Sequence, residues 1–116
     1  ETEIEQVFLN ILRNAAQAMA EATPPIENPR IAVRAFGVGD RLRIEIEDNG
    51  PGMEPEVSRR IFEPFFTTKP PGQGTGLGLS VSYFIITKSH GGSMEVDSVP
   101  GRGTCFRIDL PFKQKG

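Results

Sequence analysis

The chain has 116 residues, 37% of them hydrophobic and 24% charged, a length and balance that suit one folded domain and leave little room for a second. Thirteen basic against fifteen acidic side chains give a net charge of -2, which excludes a strong field for nucleic acid or an anionic membrane, so any phosphate must be bound locally. The single cysteine, Cys105, excludes an internal disulfide, no apolar run approaches a membrane span, and a reducing, cytoplasmic setting is expected.

The chain opens at "ETEIEQVF" with neither a signal peptide nor an initiator methionine, so residues 1–116 read as one domain excised from a larger protein. From Ile4 to Ala22 apolar residues recur at helical spacing until "TPP" stops the pattern, which predicts a helix. Asn10, Asn14 and Gln17 fall within about 60° of one another on that helix, beside the apolar stripe and not opposite it. Asparagine is a mediocre helix former, so two of them at i and i+4 point either to a solvated face or to a cleft. In a cleft, an Asn carbonyl oxygen can ligate magnesium without adding charge, which suits a metal already neutralised by phosphates.

"RIAVRAF" and "RLRIEIED", joined by "GVGD", alternate apolar and polar residues and read as a hairpin. On the second strand Asp48 shares its face with Leu42, Ile44 and Ile46, so a carboxylate points at the core. Either it caps an Asx-turn or it waits for a donor such as an amino group, with the "NGPG" turn leaving backbone bare for a ligand. "EPEVSRRIF" predicts a short helix. "TTKPPGQGTG" is polar and rich in proline and glycine, and predicts a mobile loop. Gly72, Gly74, Gly76 and Gly78 alternate here, yet neither a dinucleotide fingerprint nor a P-loop fits, because the third glycine and the Gly-Lys pair are missing. "LGLSVSYFIITKSH" predicts a helix ended by Gly91 and Gly92. "SMEVDSV" and "TCFRIDL", joined by "PGRG", predict a second hairpin, in which Thr104 shares the buried parity of Phe106, Ile108 and Leu110. Helices on one side of a mixed, mainly antiparallel sheet would bury these faces, which gives an α/β two-layer sandwich.

"NILRNAAQA", "DNGPGM", "FEPFF" and "GTGLGLS", in this order and with sensible gaps, resemble the N, G1, F and G2 boxes of the histidine kinase ATP-binding domain. The resemblance covers nearly the whole chain and extends to the GHKL superfamily with its Bergerat fold. "NAAQAM" and "FEPFFTTKPPGQGTGLGLS" further resemble the nitrogen-regulation type of sensor kinase. The resemblance implies Mg-ATP as ligand, Asn14 as the magnesium ligand, Asn10 beside the phosphates and Asp48 as acceptor for the adenine amino group. It implies that Gly50 and Gly52 let the base approach and that Thr104 supports the adenine end. "TTKPPGQGT" becomes the ATP lid, anchored by Phe62 and Phe66, with Lys69 in reach of the γ-phosphate or simply on the surface. Gly74, Thr75, Gly76, Leu77 and Gly78 then bend over the triphosphate, and backbone N–H groups at the helix start stand in for the missing P-loop lysine.

Two departures matter. Many histidine kinases carry Lys or Arg where this chain has Gln17, so a phosphate contact is lost or comes from Arg13 or Lys69. The only histidine, His90, lies in "KSHGGS" without the neighbours of an acceptor histidine and reads as structural or capping. The expected partners are therefore a histidine-bearing dimerisation domain of the same parent protein and a response regulator, not nucleic acid, with no direct membrane insertion by this domain. Two rivals remain. A GHKL ATPase driving conformational change would need a glutamate base where Asn10 stands, and a neutral amide cannot take a proton. A non-catalytic nucleotide-binding module would show broken boxes, and these are intact.

Overall fold

The structure is a computed structural model that describes residues 2–64, 66 and 78–111. Its first element is helix α1, Thr2–Ala20, and backbone bonds from Glu21 to Gln17 and from Ala22 to Met19 close its last turn just before the prolines. Strands β1 (Ile31–Val38) and β2 (Arg41–Asp48) follow as the first hairpin, turning at Gly39 with φ +63°. Helix α2 is Pro55–Arg60, with proline in its first turn, where no N–H is missed. Helix α3 spans Gly78–Phe84 and runs straight into a π-helical turn, Ile85–Ser89. Strands β3 (Ser93–Val99) and β4 (Gly103–Pro111) form the second hairpin.

The four strands lie in the order β1-β2-β4-β3, so the hairpins are joined through β2 and β4, and every pairing among the described strands is antiparallel. One face of this sheet meets the helices. Val7 and Ile11 of α1, Ile44 and Ile46 of β2, Met94 of β3, Phe106, Ile108 and Leu110 of β4, and Ile85 and Ile86 of the π turn form one core. Removing each such side chain from water contributes about 1.5–3 kcal/mol. The π turn is wider than an α turn and sets the consecutive residues Ile85 and Ile86 both inward, while Thr87 Oγ1 donates to the Tyr83 carbonyl at 2.8 Å. The expected α/β sandwich is present.

The other face carries ion pairs across the strands: Arg34 with Glu45 and Glu47, Arg43 with Asp109, and Arg107 with Glu95 and Asp97. Strand β1 departs from its pattern. Although Val33 pairs with buried Ile46, it is 58% exposed, because the helices cover β2, β4 and β3 and stop short of the edge strand.

Candidate functional site

The β2–β4 register sets Asp48 directly opposite Thr104, so the two polar residues of buried parity meet at one end of the core. Asp48 is half-buried and Thr104 buried. Burial pushes the Asp48 carboxyl above its ordinary value, opposed by hydrogen bonds from the backbone N–H groups of Gly50 and Thr104. The Gly50 bond, 2.8 Å to Oδ1, is the Asx-turn foreseen as the plain alternative. The turn does not exhaust the group, since an ionised carboxylate accepts about four hydrogen bonds. Behind it, Ser98 Oγ donates to the Gly103 carbonyl at 3.1 Å and accepts from the Met53 N–H at 2.8 Å. With its one proton so used, Ser98 accepts from the Thr104 hydroxyl at 2.8 Å, which leaves Thr104 Oγ1 as an acceptor.

Glycines close this end by chain packing. A Cβ on Gly50 would stand 2.9 Å from Asp48 Oδ1 and 3.0 Å from Met19 Cγ. Gly52 has φ +75°, and a Cβ there would collide with the Val99 carbonyl, so this glycine is required by the protein's own backbone whatever binds nearby. A cleft of about 440 Å³ opens beside Gly50, between the segment Thr23–Glu27 and the Asn49–Pro51 turn.

The other end is built from α1 and α3. Asn10 Nδ2 donates to the Gly78 carbonyl at 3.2 Å and to Ser82 Oγ at 3.1 Å. Asn14 and Gln17 are partly buried on the same side of α1, as the helical angle required, and Gln17 reaches Glu21 Oε2 at 3.3 Å. Asn10 at Gly78 and Met19 at Gly50 lie about 13.5 Å apart along the α1 axis at 1.5 Å per residue, on opposite sides of the helix.

Phe62 stacks on Tyr83 at 4.9 Å between centroids and meets Phe106 edge-on at 6.2 Å, so its ring packs under α3 against the core. The Arg60 guanidinium lies 4.5 Å over the Phe66 ring. His90 caps the π turn and sits 3.3 Å from Glu3, which agrees with a structural role. Lys69, Gly74, Thr75, Gly76 and Leu77, with the rest of the lid sequence, lie outside the described residues.

Three residues were not singled out from sequence. Asn49 takes the Arg30 N–H at 2.7 Å and donates to the Asn28 carbonyl at 3.0 Å, fastening the α1–β1 connection to the turn that carries Asp48 and Gly50. Ser98 holds Thr104, and Ser82 holds Asn10. Only Ser82 left a signal, a hydroxyl on a helix otherwise read as packing.

Among the described residues no three His, Cys, Asp or Glu side chains come together to hold a metal ion. The neutral oxygens of Asn10 and Asn14 suit a magnesium ion only when a polyanion brings the charge, which is how a metal-triphosphate binds. Residues 1–114 match the family described as histidine kinase-, DNA gyrase B-, and HSP90-like ATPase. The chain belongs to this ATPase family. Its relatives include the sensor kinase CckA of Brucella abortus (strain 2308), 42% identical over 94% of this chain and 12% of that protein. Among solved structures it is similar to the catalytic domain of the histidine kinase ThkA, with a TM-score of 0.77 at 35% identity over 95% of this chain and 66% of that one. It is also similar to full-length ShkA in complex with AMPPNP, with a TM-score of 0.78 at 30% identity over 98% of this chain and 22% of that one. The chain thus spans about an eighth of CckA. No helix among the described residues of this ATPase-family chain is long and apolar enough to cross a membrane.

Proposed function

We propose that this chain is the nucleotide-binding catalytic half of a sensor histidine kinase. In this reading it binds Mg-ATP and donates the γ-phosphoryl group to a histidine on a separate dimerisation domain of the same parent, from which a response regulator is served. The observation that carries it is a half-buried Asp48 facing Thr104 where β2 meets β4, together with Asn10 on α1 tied to Gly78 at the start of α3. The sensor-kinase relatives and the AMPPNP complex of ShkA support the same reading.

The roles follow from chemistry. Asp48 accepts from the adenine amino group and Thr104 supports it. Asn14 and Asn10 face the metal and the phosphates, with Lys69 and the backbone of residues 74–78 completing the phosphate end. Magnesium, when bound with the nucleotide, supplies positive charge to the phosphate oxygens. Transfer breaks the bond from the γ-phosphorus to the ADP oxygen and forms a bond to an imidazole nitrogen, so the domain contributes position and charge and needs no nucleophile of its own. An ATPase would instead need a base for water, and Asn10 is a neutral amide whose nitrogen is committed to α3.

The test incubates labelled ATP and magnesium with the chain alone, with His90→Ala, and with a supplied dimerisation domain. Acid-labile label is expected on the supplied histidine only. Label on the isolated chain that vanishes in His90→Ala would contradict the reading, and rapid phosphate release by the chain alone would favour the ATPase.

A further inference from the structure

Ser82 is the most deeply buried polar side chain among the described residues, 0% exposed, in a helix whose continuation carries Ile85 and Ile86 into the core. Its position costs free energy unless its hydroxyl is satisfied, and it is satisfied twice. Ser82 Oγ donates to the Gly78 carbonyl at 3.0 Å and accepts from Asn10 Nδ2 at 3.1 Å. Asn10 Nδ2 gives its second contact to the same Gly78 carbonyl at 3.2 Å.

A carboxamide can sit in two orientations half a turn apart, and only its partners choose between them. At Asn10 the Gly78 carbonyl can only accept, and the Ser82 hydroxyl accepts while its own proton goes to that carbonyl. The flipped amide would set its oxygen against the Gly78 carbonyl and would require the Ser82 hydroxyl to turn away from Gly78. Nδ2 is therefore held on α3, and Oδ1 is the atom Asn10 offers elsewhere. Oxygen is what magnesium or its bound water takes, whereas a phosphate oxygen needs a donor.

We propose that Ser82 is a positioning residue that fixes the Asn10 carboxamide with its oxygen toward the metal side, so that Asn10 serves the cation and not the phosphates directly. This rests on the reading of Asn10 as part of the Mg-ATP site. It also ties the start of α3, where the lid sequence ends, to the metal end of α1.

Two variants test it on the whole chain: Ser82→Ala, and the near-isosteric Ser82→Cys, which keeps the volume and weakens the hydrogen bond should the alanine variant fail to fold. Calorimetric titration uses Mg-ATP, ATP without metal, and AMP. Each variant is expected to weaken Mg-ATP about five- to tenfold, the worth of one such hydrogen bond, while AMP affinity holds. In an Asn10→Ala background the Ser82 changes should add nothing. In the nucleotide-free chain, the Asn10 side-chain amide resonances should be protected from exchange in the wild type and lose protection in both variants. Equal weakening of AMP and Mg-ATP, full additivity with Asn10→Ala, or unaltered amide protection would overturn the proposal. So would Mg-ATP binding by the wild type that the variants leave unchanged, with the site reading intact. A wild-type chain with no magnesium-dependent ATP binding would overturn the site reading and this inference with it.

Discussion

Asp48 makes opposing demands on its own proton. Burial raises its pKa, yet accepting from an adenine amino group requires the carboxylate. Adenine nucleotide affinity should therefore fall on acidification at a pH above that of an ordinary aspartate, as titration across the acid range would show. Asp48→Asn keeps the shape and the acceptor for the Gly50 N–H but replaces a charged acceptor by a neutral amide. It should weaken ATP about 10- to 100-fold without lowering the melting temperature, since it also removes a half-buried charge. Asn14 lies partly buried beside the core stripe and outside it. Asn14→Ala should abolish magnesium-dependent binding and leave the circular dichroism spectrum unchanged; a variant that unfolds would make Asn14 a structural residue.

At the scale of elements, two glycine turns separate conformational cost from collision. Gly39, in the β1–β2 turn, has φ +63° and open space around it, so Gly39→Ala should cost about 1–2 kcal/mol, the left-handed penalty alone. Gly52 has φ +75° and the Val99 carbonyl where a Cβ would go, so Gly52→Ala should cost more than about 2 kcal/mol and loosen the Asp48 end; denaturant titration of the two variants makes the comparison. What could be read in advance divides along the same line. Helix α1, both hairpins and the inward parity of Asp48 and Thr104 follow from local periodicity, which the chain carries residue by residue. The meeting of Asp48 with Thr104 required the β2–β4 pairing, and the Ser82–Asn10, Ser98–Thr104 and Asn49–Arg30 bonds join positions that only folding brings together. The exposure of β1 was hidden for a like reason, because alternation says which face a residue takes and not whether a helix covers it.

Across the whole molecule the two sheet faces answer acid with opposite signs. Asp109 on the outer face has its carboxyl held below the ordinary range, chiefly by the hydrogen bond from Arg43, at 2.8 Å, against a smaller opposing effect of burial. Its contribution is present above the unfolded-state pKa and lost as pH falls through the lower folded value. Asp48, with its raised value, contributes stability below the unfolded-state pKa that is lost as pH rises through the folded value. The melting temperature should therefore hold or rise slightly on first acidification and then drop below the ordinary carboxylate range. Asp109→Asn should flatten the drop, and Asp48→Asn should remove the rise.

The nucleotide reading stands or falls on Asp48 and the Asn10–Asn14 pair acting together, and calorimetric titration of the chain with ATP and with GTP, each with and without magnesium, addresses both at once. Guanine carries a carbonyl where adenine carries the amino group that Asp48 would accept from, and the metal end should respond to magnesium whichever base is present. The expected result is ATP bound well over tenfold more tightly than GTP, with the ATP affinity strengthened by magnesium. Equal affinity for the two nucleotides would contradict the role of Asp48, and indifference to magnesium would contradict the roles of Asn10 and Asn14.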